Sequence, residues 1–332
     1  MNFQRRLAIT PTSLHTIAII VMVVWLVNIP FHNVSSVPLP NDEIGWWGTM
    51  PAFLRNEGLL NSVVGLLAIL AAIYMIAELN IANVLLRINS RIFSIEFALL
   101  ICAAPFLHSF NPGIVLMLCV LLSYFCLFRS YQMDRSSGLI YVAFLYLSIA
   151  SLVTPKILWM APFYWLSTYM LRSNNVKSMC ASILGLLTPY WLTGAVSCYK
   201  DRLPSFGDKL SQVYTFHWGG YSAVPTQAWI VFSFLTVLFL IGVMDFFIRI
   251  YMDKTQIRNY YYIIILHGFV SILLFVLQPC LCLSLMPLIL FYASFMFGHF
   301  ICNGTTVGVS NIAVIVITVI TFIIYILDTW IL

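Results

Sequence analysis

The sequence predicts an all-α protein, a polytopic transmembrane bundle of about eleven helices (ten to twelve) with a cytoplasmic N-terminus. Composition comes first: of 332 residues, 62% are hydrophobic and 8% are charged, against about 25% charged in an ordinary soluble domain. With a mean hydropathy of +0.98, a soluble fold of this length could not cover itself with polar groups. Apolar runs then recur along the whole chain with no hydrophilic domain between them, so residues 1–332 read as a single integral-membrane domain. Finally, the sixteen Lys and Arg fall in the separators rather than in the runs.

The runs are 13–30, 59–78, 93–109, 113–128, 138–153, 157–171, 178–196, 227–248, 260–277, 282–299 and 311–328. Most are long enough to cross a hydrocarbon core at about 1.5 Å per residue. The first follows Arg5 and Arg6 as the core of a signal peptide would, but it is longer than such a core, contains Trp25 and lacks a small-residue cleavage site, so it is expected to stay as an anchor. Glu78 closes the second run. The third ends in the turn sequence His108-Ser109-Phe110-Asn111-Pro112-Gly113, and the fifth at Thr154-Pro155-Lys156. Asn303-Gly304-Thr305-Thr306 separates the last two. Ala68 with Ala72, and Ala181 with Gly185, have the small-residue spacing of helix contacts.

Orientation follows because cytoplasmic loops retain basic residues. One side receives Arg5, Arg6, Arg87, Arg91, Arg129, Arg135, Arg172, Lys177, Arg249, Lys254 and Arg258; the other receives Arg55, Lys156, Lys200, Arg202 and Lys209. The first side is therefore cytoplasmic. This scatter also explains the net charge of +5 without a nucleic-acid partner. Of the eight cysteines, Cys198, Cys280 and Cys282 lie near the predicted outer face, where Cys198 could pair with either of the others; free thiols are the simpler expectation.

The chain contains no phosphate-loop, HExxH, GxSxG or paired CxxC motif, so nothing supports ATP hydrolysis, zinc proteolysis or serine hydrolysis. The identity of any cofactor or metal is unknown from the sequence. Among ionisable residues in or beside the runs, Asp245 and Arg249 have the i, i+4 spacing of an intrahelical ion pair and Glu96 opens the third run, all near the predicted cytoplasmic boundary, where hydration or pairing is expected; His267 is the candidate for proton relay within the membrane. A lone histidine bonded to a neighbouring helix is the commoner arrangement.

The two longest loops, 31–58 and 197–226, both project to the predicted outer face. The first holds Asp42 and Glu43 beside Trp46 and Trp47. The second holds Lys200, Asp201, Arg202, Asp208, Lys209 and the stretch Phe216-His217-Trp218-Gly219-Gly220-Tyr221. Such contents suit a lipid-linked polar substrate: a carboxylate acts as base or metal ligand, cations hold phosphate, and aromatic rings face a sugar or headgroup.

The order Ala150-Ser151-Leu152-Val153-Thr154-Pro155-Lys156, Pro162-Phe163-Tyr164-Trp165-Leu166, Leu171-Arg172 and Leu184-Gly185-Leu186-Leu187-Thr188-Pro189-Tyr190-Trp191 resembles an uncharacterised family of multi-pass inner-membrane proteins from Bacteroidota. That resemblance implies the topology and a bacterial inner-membrane location. Asp42-Glu43, a short helix expected over 50–57, and Val153-Thr154-Pro155-Lys156 with Pro162 are similar to features of GT-C polyprenyl-phosphate-sugar glycosyltransferases. This second resemblance implies Asp42 or Glu43 as base or metal ligand, and Lys156, Lys200, Arg202 or Lys209 as partners of the lipid phosphate. A transporter, a flippase or a structural subunit of a cell-envelope complex is the alternative.

Overall fold

The computed structural model describes residues 11–28, 45–49, 51, 58–86, 91–102, 104–201, 203–215, 221, 224–303, 319–321 and 323. Its α-helices are α1 (Pro11–Asn28), α2 (Leu59–Asn83), α3 (Ile92–Cys102), α4 (Pro112–Arg129), α5 (Ser137–Val153), α6 (Ala161–Met170), α7 (Val176–Tyr199), α8 (Leu203–Ser211), α9 (Thr226–Arg249), α10 (Thr255–Leu277) and α11 (Cys282–Asn303). Short 3-10 turns join several of them, and no strand occurs among the described residues. Six of these helices (α2, α4, α7, α9, α10 and α11) are long and apolar enough to cross a membrane. The protein is an all-α helical bundle of the multi-pass membrane type.

Local signals explain the boundaries. At the start of α4, the Asn111 side chain accepts from the Ile114 N–H at 3.1 Å and Pro112 occupies the first turn, where no N–H is needed. Asn175 and Ser178 form a reciprocal capping box at the start of α7. At the end of α2, Val84 turns into the left-handed region (φ 49°), while the Asn80 side chain accepts from the Leu86 N–H at 3.2 Å.

Two expected spans are shorter than predicted. The run 93–109 is helical only to Cys102; eleven residues rise about 16 Å, roughly half the hydrocarbon thickness. Beyond it the backbone is irregular yet buried and bonded: the His108 ring meets the Ile101 carbonyl at 3.1 Å. Asn61 meanwhile accepts from the Phe110 N–H at 2.7 Å and donates to its carbonyl at 3.3 Å. Such backbone is tolerated at membrane depth only where the protein itself satisfies it. The run 157–171 likewise divides into a 3-10 turn, Pro155–Met160, and the ten-residue α6. The expected helix at 50–57 and most of the run 311–328 lie outside the described residues.

Hydrogen bonds between connections sort the loops into two ends. At one, Gln132 N–H donates to the Leu171 carbonyl, Asn175 to Asp134, Asn259 to Met170, and Tyr261 to Leu85. At the other, Trp46 N–H donates to Leu152, Trp159 to Val213, and Tyr221 to Val276. Successive spanning elements therefore alternate in direction. The first end carries Arg91, Arg129, Arg135, Arg172, Lys177, Arg249, Lys254 and Arg258; the second carries Lys156, Lys200 and Lys209. We call them the basic and the opposite end.

At the centre stands α11, whose residues from Cys282 to His299 are buried with no interruption. It packs against α3, α4, α9 and α10. Pro287 has no N–H, so the Leu283 carbonyl loses its intrahelical donor. Gly113 of α4 approaches that carbonyl so closely that any Cβ would overlap it, leaving room for a Cα–H···O contact. Gly242 of α9 meets the Met296 backbone in the same way. Outside this centre, α5 and α7 form the most extensive pair, in close contact where Gly185 meets the Tyr141 carbonyl.

Asn174 lies at the basic end and Ser205 at the opposite end, both exposed. With the exposed Cys180 and Cys198 replaced by serine, an impermeant thiol reagent added to intact cells should label Ser205→Cys and spare Asn174→Cys. The reverse pattern would invert the orientation drawn from the basic residues.

Candidate functional site

The opposite end brings Trp46 of the first long loop together with Lys200, Asp201 and Lys209 of the second. Gly45, at φ +60° and too close to the Leu152 and Val153 carbonyls for any side chain, lets the first loop press onto the end of α5. Its N–H donates to the Gln212 side chain at 2.9 Å, which ties that loop to the segment after α8. The Trp46 ring then lies against Phe206 (5.7 Å between centroids) and Tyr190 (6.3 Å). The Lys209 ammonium sits 5.2 Å from the Trp46 ring centroid, a cation–π contact.

Trp46, the last turns of α7 and the helix α8 line an open cavity of about 880 Å³. Lys200 and Lys209 supply its positive charge, with Asp201 beside them; Thr193, Ser197 and Ser205 supply hydroxyls; Leu192, Val196 and Phe206 supply the apolar wall. Two of the four predicted phosphate-binding cations thus share one cavity. Lys156 does not line it: its ammonium donates to the Gln278 side chain at the join of α5, α6 and α10. Partial burial there lowers its pKa from the usual lysine value, with Cys280 opposing in part. Asp42, Glu43 and Arg202 lie outside the described residues. All eight cysteines are free thiols, so Cys198 pairs with neither Cys280 nor Cys282. Among the described residues, no group of three or more His, Cys, Asp or Glu is placed to hold a metal ion.

His267 lies deep in the bundle, fully buried, with both ring nitrogens engaged. Nδ1 is 2.7 Å from the Tyr124 hydroxyl and Nε2 is 3.1 Å from the Ser167 hydroxyl, while the Tyr164 ring stacks on the imidazole at 4.6 Å. The Ser167 hydroxyl donates to the Phe163 carbonyl at 2.8 Å and therefore accepts from His267 Nε2–H. Nδ1 then accepts from Tyr124, whose oxygen accepts from Tyr292 at 2.9 Å. One tautomer satisfies this whole chain, which joins α4, α6, α10 and α11. It ends on a backbone carbonyl, which accepts a hydrogen bond but passes no proton onward.

The predicted ion pair is present, with Arg249 and Asp245 2.9 Å apart at the basic end of α9. Sequence reasoning missed its extension: His299 of α11 reaches Asp253 at 3.2 Å and Asp245 at 4.0 Å, with Tyr261 edge-on to its ring. The partners of His267 were missed too, because tyrosine and serine within an apolar run read as ordinary core. Glu96, expected to be hydrated or paired, is instead buried on α3, and its Oε2 has no hydrogen-bond partner among the described residues.

No family model, no curated protein and no solved structure matches the chain.

Tyr124→Phe removes the hydroxyl between His267 and Tyr292 and should lower stability in detergent by about 1–2 kcal/mol. Thermal unfolding of the purified protein measures this. An unchanged melting temperature together with an altered pH profile of function would instead make the chain a proton path.

Proposed function

We propose that the protein holds a lipid-linked phosphate at the outer face of a bacterial inner membrane and transfers a sugar from it, in the manner of the GT-C enzymes that its first outer loop resembles. The observation that carries this reading is the cavity shared by Trp46, Lys200 and Lys209. Its cations suit a phosphate, its apolar wall suits the first isoprene units, and its hydroxyls and indole suit a sugar. The family resemblance to Bacteroidota proteins and the excess of basic residues at the other end support the location.

The reaction needs little machinery. A hydroxyl of the acceptor attacks the anomeric carbon, the bond from that carbon to the carrier phosphate oxygen breaks, and the hydroxyl proton passes to Asp42 or Glu43. The carrier departs as polyprenyl phosphate, and Lys200 and Lys209 offset its charge. Asp42 and Glu43 precede Trp46 in sequence by four and three residues, so Trp46 anchors their loop within chain reach of the cavity, at most about 14 Å.

A structural role in an envelope complex, the alternative reading, draws on α7. It is the least covered of the six long helices, with Leu184, Leu187, Trp191 and Leu192 exposed along it. Lipid covers such a face as well as a partner helix would.

Mass spectrometry of copurifying lipids separates these readings. The wild type should retain polyprenyl phosphate or its sugar adduct, and Lys200→Gln with Lys209→Gln should reduce retention roughly tenfold or more. Asp42→Asn with Glu43→Gln should retain the sugar adduct, because binding persists while transfer stops. Only bulk phospholipid on all three proteins would contradict the reading and favour a structural role.

A further inference from the structure

A second cavity, of about 700 Å³, opens at the basic end between the last turns of α2 and α4 and the first turn of α10. Arg129 closes α4, Lys254 precedes α10, and Glu78 projects from α2; all three line the cavity and are exposed. None of them is in an ion pair among the described residues. Phe125, Leu139 and Ile257 form the apolar wall.

We infer that this cavity binds the headgroup of an amine-bearing phospholipid, such as phosphatidylethanolamine, from the leaflet at the basic end. Arg129 and Lys254 take the phosphodiester, and the guanidinium fork of Arg129 matches two of its oxygens. Glu78 takes the ammonium. A purely anionic headgroup would satisfy both cations but set its charge against the Glu78 carboxylate, whereas a zwitterion satisfies all three groups. The apolar wall and the position at the ends of spanning helices select a lipid over a water-soluble phosphoamine. Glu78 lies five residues before the end of α2, about 7 Å deeper by helix rise, and its flexible stem reaches toward the boundary. The headgroup accordingly lies along the interface. This site is independent of the sugar-transfer reading, since it lies at the other end of the bundle.

Titrating the detergent-purified protein with short-chain phosphatidylethanolamine or phosphatidylglycerol, followed by native mass spectrometry, tests it. The wild type should prefer the ethanolamine lipid by about fivefold, and Arg129→Gln with Lys254→Gln should weaken both lipids about thirtyfold. Glu78→Lys should reverse the preference, and Glu78→Gln, a milder change, should abolish it. Equal affinities in the wild type, or a preference unmoved by both Glu78 variants, would overturn the site. Displacement of the lipid by glycerophosphoethanolamine at equal concentration would overturn the lipid as its ligand.

Discussion

The approach of α4 and α9 to α11, backbone against side-chain-free backbone at Gly113 and Gly242, is the contact on which the bundle depends. In lipid no hydrophobic force drives helices together, because acyl chains are as apolar as leucine; association rests on close packing and satisfied polar groups. A helix apolar on every side gains such contacts only when surrounded, and α11 is surrounded by α3, α4, α9 and α10. Pro287 belongs to the same arrangement, since the carbonyl it frees is the one Gly113 covers. Larger residues at either glycine would separate the helices that hold the core.

Two polar clasps fasten that centre at different depths. The chain through Tyr292, Tyr124, His267 and Ser167 joins four helices within the core. At the basic end, His299 lies between Asp245 and Asp253, with Arg249 on Asp245. Buried polar groups of this kind are costly when left unsatisfied and rigidifying when paired. With the core fixed, variation is left to the ends, where the amphipathic α8 and the Trp46 segment build one cavity and the ends of α2, α4 and α10 build another.

Hydropathy made the spanning elements legible because lipid demands about twenty apolar residues whatever their partners. It could not reveal the break after Cys102 or the 3-10 turn at 155–160, since an irregular buried segment is as apolar as a helix. The nine-residue α8 was hidden among loop charges, although Leu203, Phe206 and Leu210 recur at helical spacing. At the candidate site, Lys200, Lys209 and Trp46 were legible as residue types in two loops, but their meeting depends on Gly45 folding one loop onto α5. The separation of Lys156 from them depends on Gln278, more than a hundred residues away in sequence. Nothing local signals either.

Photo-crosslinking tests most directly whether the cavity of Trp46, Lys200 and Lys209 takes a lipid phosphate. A polyprenyl phosphate analogue bearing a photoreactive group near its phosphate, activated on the protein in lipid nanodiscs, should mark peptides spanning Leu192–Lys209 and Trp46. Competition by unlabelled polyprenyl phosphate, but not by bulk phospholipid, should remove the mark. Labelling spread evenly over the lipid-facing surfaces of α7 and α9, indifferent to competitor, would contradict the account.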